Sequence, residues 1–147
     1  MEIRQILNNK KEYLPLLLLG DEQEDMIDKY LERGDLFALF DNDLKSICVV
    51  TKETDEIYEI KNLATYEKYQ KKGYGTALLE HIFQNYSDRC KYILLGTGDN
   101  AEILTFYNRR GFAYSHTISD FFIDNYDKPI FENGKQLVDM IYLRKTI

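Results

Sequence analysis

The segment Gln70-Lys71-Lys72-Gly73-Tyr74-Gly75 carries residue types and spacing suited to holding a phosphate. It follows a strand-like run and opens into a helix-like one. The first amides of a helix have no internal partner and point outward, and the helix dipole places partial positive charge at the same end. Gly73 and Gly75 remove side chains that would keep a ligand off the backbone, and they open backbone angles that other residues avoid. Lys68, Lys71 and Lys72 add positive charge to an otherwise acidic chain. A plain strand-to-helix turn also accepts two glycines, so G-x-G alone is weak evidence. Two other phosphate loops are excluded. The segment lacks G-x-x-x-x-G-K-[ST], and Leu78 stands where G-x-G-x-x-G needs its third glycine.

A second stretch, Asp120 to Asp139, mixes carboxylates with aromatics. Asp120, Asp124, Asp127, Glu132 and Asp139 outnumber Lys128 and Lys135, and Phe121, Phe122, Tyr126 and Phe131 lie among them. That mixture suits an ammonium-bearing ligand through charge pairing and cation-π contact. A solvated acidic hairpin with its aromatics on the core fits equally well. Cys48 and Cys90 read as reduced packing residues. Neither lies near His81 or His116 and no metal-ligand spacing occurs, so no metal is expected.

Net charge of -6 and a pI near 5.0 argue against nonspecific nucleic-acid binding. The longest apolar run, Leu16 to Leu19, is far too short to span a bilayer. The opening Met1-Glu2-Ile3-Arg4 lacks a signal-peptide layout, so a cytoplasmic protein without membrane contact is expected. A chain of 147 residues suits one domain, 1–147.

The elements that must position these residues follow from periodicity and turn signals. Glu2 to Leu7 reads as a strand, and Asn9 with Glu12 as a capping box. A second helix from about Asp21 shows Met26, Ile27, Tyr30 and Leu31 on one face and stops at Gly34. Leu36–Phe40 and Leu44–Thr51 read as a hairpin turning at Asp41-Asn42-Asp43, and Glu56–Thr65 as a longer strand. The helix after the glycine loop has the stripe Leu78, Leu79, Ile82, Phe83 and Tyr86. Tyr92–Leu95 is a buried strand, Asn100–Arg109 a helix ended by Gly111, and Phe112–Ile123 and Leu137–Arg144 the last strands, with Asp124–Gly134 a loop between them. The order predicts an α/β fold, a mixed sheet with helices on its faces.

With these residues in view, two linked segments carry a resemblance. Glu59-Ile60-Lys61-Asn62-Leu63-Ala64-Thr65 followed by Tyr69 to Leu79 resembles the acetyl-CoA motif of the GNAT superfamily of N-acetyltransferases, Q/R-x-x-G-x-G/A. Asn100-Ala101 with Phe106-Tyr107-Asn108-Arg109-Arg110-Gly111-Phe112 resembles that family's second motif. The resemblance implies the α/β GNAT fold, a central mixed, mostly antiparallel sheet flanked by helices, with splayed strands and the pantetheine arm of acetyl-CoA in the gap. It implies pairing of that arm with backbone at Leu63, Ala64 and Thr65, and an oxyanion-hole N–H near Leu63. It further implies a pyrophosphate held by the amides of Gln70, Lys71, Lys72, Gly73, Tyr74 and Gly75 with Thr76. Asn100 would touch the pantetheine arm, or serve as a helix N-cap. Tyr107 matches the acid that protonates the departing thiolate, although most of the 12 tyrosines must be packing residues. Glu59 is the candidate general base, with an ordinary strand carboxylate paired to a lysine as the alternative. The implied activity is acetyl transfer to a primary amine by direct attack in a ternary complex, and the acidic, aromatic stretch Asp120 to Asp139 adds the expectation of a small-molecule amine (a polyamine, amino sugar or similar). Acetylation of a protein N-terminus or lysine, or acyl-CoA binding without catalysis, stays open, and so does a homodimer.

Overall fold

The computed structural model describes residues 1–147. Seven strands form one sheet in the order β1-β2-β3-β4-β5-β9-β6. Along the chain these are β1 (Glu2–Ile6), β2 (Asp35–Asp41), β3 (Asp43–Lys52), β4 (Ile57–Thr65), β5 (Tyr92–Gly98), β6 (Ala113–Ile118) and β9 (Met140–Thr146). The helices are α1 (Leu14–Gly20), α2 (Glu24–Asp28), α3 (Tyr74–Asn85), α4 (Ala101–Asn108) and α5 (Phe121–Asn125), and β7 (Phe131–Glu132) with β8 (Lys135–Gln136) makes a separate hairpin. Every neighbouring pair in the sheet is antiparallel except β4 with β5. The mixed, mostly antiparallel sheet expected from the sequence is therefore observed.

Side chains alternate across a strand, and β2 shows it plainly. Leu36 and Ala38 pack with Leu16, Leu17, Ile27 and Leu31 under α1 and α2. Phe37 and Leu39 pack on the opposite face, with Leu78, Leu79, Ile82 and Tyr86 of α3. Each face of the sheet thus carries its own core.

Strand β4 changes face partway along. Val50 lies opposite Ile60 but Val49 lies opposite Asn62, so Lys61 is an extra residue, a β-bulge. Ile60 therefore belongs to the α3 core and Ala64 to the α1–α2 core, although both are even-numbered. One extra residue reverses the alternation because its period is two. Beside the bulge, β4 parts from β5. Their register runs from Ile57↔Tyr92 to Ile60↔Leu95 and stops, while β4 continues to Thr65 and β5 to Gly98.

Several local readings require correction. Asn9 does not form a capping box. It sits at φ 55 with no side-chain cap hydrogen bond, before a 3-10 turn at Lys10–Tyr13. The buried Lys10 ammonium instead donates to the carbonyls of Leu31, Glu32 and Gly34. The second helix is short, ending at Asp28, with turns up to Gly34. The strand expected over Phe112–Ile123 stops at Ile118, where Asp120 takes a left-handed φ of 59 and α5 begins. The expected loop Asp124–Gly134 holds the end of α5 and most of a hairpin. Its turn residues Asn133 and Gly134, at φ 51 and 77, form the two-residue Asn-Gly turn that favours tight hairpins. The last strand begins at Met140 rather than Leu137.

Candidate active site

The glycine loop lies where β4 leads into α3. Gly73 caps α3 at φ 90, a conformation costly for any residue with a Cβ. A Cβ on Gly73 would meet nothing within 4 Å, and one on Gly75 would meet only Thr65 Oγ1 at 3.8 Å, so the front of the loop is open to a ligand. Gln70 braces the loop by donating from Nε2 to the Thr65 carbonyl at 3.1 Å. Thr76 Oγ1 accepts from Arg110 Nη2 at 2.7 Å, tying the start of α3 to the end of α4. Arg110 lines the same cleft, so its guanidinium brings positive charge there, and its buried Nε has no partner in the protein. Lys71 lines this cleft, whereas Lys72 turns toward the ring of Tyr69 at 5.9 Å.

From this loop a groove runs through the sheet. Its first part, about 580 Å³, lies between the glycine loop and α4, and Leu63, Thr65, Ile103 and Tyr107 line it. The middle, about 280 Å³, fills the gap between β4 and β5 and is lined by Ile60 to Thr65, Leu95 to Thr97, Tyr107 and Glu132. Beyond it a third chamber of about 340 Å³ opens on the α1–α2 side, lined by Asp21, Tyr30, Glu59, Phe122, Tyr126 and Tyr142 among others. Between Lys61 and Thr65, β4 has no ladder partner on the β5 side. Its main-chain groups on that edge are free to pair with a ligand, as buried polar backbone requires.

Tyr107 is half-buried, flanked by Phe106 and Phe112 with ring centroids 5.1 Å and 5.6 Å away. Burial pushes its phenol pKa well above the usual value, Cys48 and Glu132 add to the shift, and Arg110 opposes it. The group therefore stays protonated and can act as a donor. Glu59 faces only the third chamber. It is 7% exposed and paired with Lys61 at 3.0 Å. Burial raises its pKa and Lys61 partly offsets the rise. Glu59 and Tyr107 thus line different parts of the groove. Tyr142 is pushed up to about 12 by burial, with the Glu59 charge the next cause. Asn100 caps α4, its Oδ1 accepting from the amides of Glu102 at 3.0 Å and Ile103 at 3.4 Å. Its Nδ2 donates to Glu132 Oε2 at 3.2 Å.

Of the five late acids, Glu132 alone lines the third chamber. Phe121, Phe122 and Tyr126 line it with Glu132, but Phe131 does not. The other uncommitted carboxylates there come from Asp21 and Glu22, which sequence reasoning did not single out. Asp21 accepts from Tyr126 at 2.6 Å and Tyr30 at 2.9 Å, and burial raises its pKa against those bonds. Asn62 Nδ2 donates to Tyr30 Oη at 3.2 Å and to the Leu17 carbonyl at 2.9 Å, linking the free part of β4 to that network. These partners lie 9 to 105 residues apart, so no local pattern could reveal them.

Comparison with known proteins places the chain in a family. The acetyltransferase (GNAT) domain profile matches residues 32–114. An uncharacterized N-acetyltransferase, YvbK, of Bacillus subtilis (strain 168) is 38% identical over 135 residues, covering 90% of this chain and 87% of that protein. The chain belongs to the GNAT acetyltransferase family. A GNAT acetyltransferase from Elizabethkingia anophelis, solved with acetyl-CoA bound, superposes with TM-score 0.93 at 33% identity, over 99% of this chain and 97% of its own. A Bacillus subtilis acetyltransferase in complex with CoA superposes with TM-score 0.89 at 35% identity, over 99% and 98%. This GNAT chain is accordingly an N-acetyltransferase that uses acetyl-CoA as co-substrate. The open glycine loop, the free edge of β4 and the Arg110 guanidinium suit such a ligand. No helix of the GNAT chain is long and apolar enough to cross a membrane.

Proposed function

We propose that this GNAT enzyme moves the acetyl group to a primary amine of a small molecule, a polyamine, amino sugar or similar amine, by direct attack in a ternary complex in the cytoplasm. The third chamber carries this reading. It holds about 340 Å³, at the small end of ligand pockets. Two of its three cations are committed, since Lys61 pairs with Glu59 and Arg33 with Glu53 at 2.9 Å, while Lys29 has no ion pair. The carboxylate of Asp21 has only neutral partners. Aromatic walls beside free carboxylates favour an ammonium.

Acetyl-CoA supplies an activated thioester. In this reading the amides of Gln70 to Gly75, with Thr76, hold its pyrophosphate. Backbone of Leu63, Ala64 and Thr65 orients the pantetheine arm beside Asn100, and the N–H near Leu63 stabilises developing negative charge. Tyr107 Oη gives its proton to the departing sulfur. Glu59, at the edge of the third chamber, is a candidate acceptor of the amine's proton.

A panel of diamines, amino sugars, aromatic amines and peptides, assayed for thiol release, tests the proposal. Turnover is expected with small amines. Turnover with peptides alone would overturn the small-molecule reading.

A further inference from the structure

Glu132 faces both the third chamber and the gap between β4 and β5, and no other carboxylate lines both. Its position is firmly set. The Asn133-Gly134 turn fixes the hairpin register, pairing Glu132 with Lys135. Lys135 Nζ donates to the Asp99 carbonyl at 3.2 Å. Leu137 follows at 4% exposure and packs so closely on Gly98 that an added Cβ there would lie 2.6 Å from Leu137 Cδ2. The hairpin is thus seated on the end of β5, beside the start of α4.

The surroundings of Glu132 differ from those of Glu59. Glu59 is held by a lysine ammonium at 3.0 Å. Glu132 has no cation on its carboxylate; its side-chain donor is the neutral amide of Asn100 at 3.2 Å. Its charge also acts on Tyr107, the residue proposed to protonate the sulfur. Glu132 therefore stands where the third chamber meets the gap.

We infer that Glu132 holds the incoming ammonium at the mouth of the gap and takes its proton, which leaves the amine neutral for attack. The inference rests on the amine-acceptor reading above. One proton passes from nitrogen to the Glu132 carboxylate. The N–C bond then forms as the C–S bond breaks, sulfur gains a proton from Tyr107, nitrogen's second proton passes through solvent to the Tyr107 phenolate, and Glu132 gives its proton up to solvent. One proton is released to solvent overall. Glu59, neutralised by Lys61, then serves to shape the chamber.

The test compares Glu132→Gln and Glu132→Asp with the wild-type protein, using the best acceptor from the panel of small amines and peptides. Gln keeps an oxygen to accept from Asn100, so the hairpin is expected to fold, as thermal melting would check. The Gln variant is expected to lose about 100-fold in kcat/KM, within the range for a positioned proton acceptor. Its Kd for acetyl-CoA, read by calorimetry, is expected to change less than about 3-fold. The Asp variant is expected to recover part of the loss. A Gln variant as fast as wild type, an Asp variant no better than Gln, or weakened acetyl-CoA binding would each overturn the assignment. If only peptides are acetylated, the small-molecule reading fails and Glu132 is judged on the peptide. If no amine or peptide is acetylated, both readings fail.

Discussion

At the glycine-loop end of the groove, the proposed donor end, the protein presents main chain from one contiguous stretch, Thr65 to Thr76, braced by Gln70 and Arg110. At the third chamber, the proposed acceptor end, it presents side chains gathered from α1, the turn after α2, β4, α5, the β7–β8 hairpin and β9. Under the proposed function the donor end recognises a group common to all acyl-CoA molecules, for which backbone amides and glycines suffice. The acceptor end then discriminates among amines, which needs side chains of chosen charge and shape. The first can be conserved in form while the second is rebuilt, which fits a fold that does not specify its acceptor.

Mutations should separate the two ends. The largest effect is expected at their junction. Tyr107→Phe should lower kcat on the order of 100-fold, as loss of a positioned acid does, with acetyl-CoA affinity little changed. An unchanged kcat would remove Tyr107 from the chemistry. At the acceptor end, Asp21→Asn removes the charge and keeps one oxygen to accept from a tyrosine, while the other tyrosine hydroxyl must turn to accept from the new Nδ2. It should raise the amine KM by about 10-fold, roughly the 1.4 kcal/mol of one charge-assisted contact, and leave acetyl-CoA binding alone. An effect on both ligands would mean that the two ends are not independent. At the donor end, Gly73→Ala meets open space but must hold φ near 90. Its strain of about 1 kcal/mol should weaken acetyl-CoA binding about 5-fold without changing the amine preference.

The smallest effect concerns Glu59. Burial holds its pKa above the ordinary carboxylate range, so the folded protein keeps that proton to higher pH than the unfolded chain. Stability linked to Glu59 therefore falls as pH rises from the ordinary carboxylate pKa through the raised folded one. Glu59→Gln removes this loss. Its melting temperature relative to wild type should be higher at pH 7 than at about pH 4, and the reverse order would contradict the burial argument. A pH–rate profile altered in this variant would instead favour Glu59 as the proton acceptor.

The same division governs what the sequence shows. The glycine loop, the strand before it and the α4 segment are local patterns, and the fold follows from their order. Asp21, Tyr30 and Tyr126 meet only because α1, the turn after α2 and the segment after α5 come together in space. The late region reads as one long strand because its β-rich composition hides Asp120, whose left-handed conformation breaks the strand. Asn133-Gly134 was a usable hairpin signal. The bulge left none, because the buried Asn62 on one face and Ile60 on the other do not break the overall pattern of apolar and polar residues.

The extra residue at Lys61 works like a frameshift within the strand. Residues before it are read in one frame, which points Glu59 at the third chamber. Residues after it are read in the other, which points Leu63 and Thr65 at the glycine-loop cleft. Substitutions along β4 tune one chamber or the other, but deleting a single residue there would exchange their walls. Evolution of a new acceptor in this scaffold is therefore open to substitution throughout β4 and closed to changes in its length.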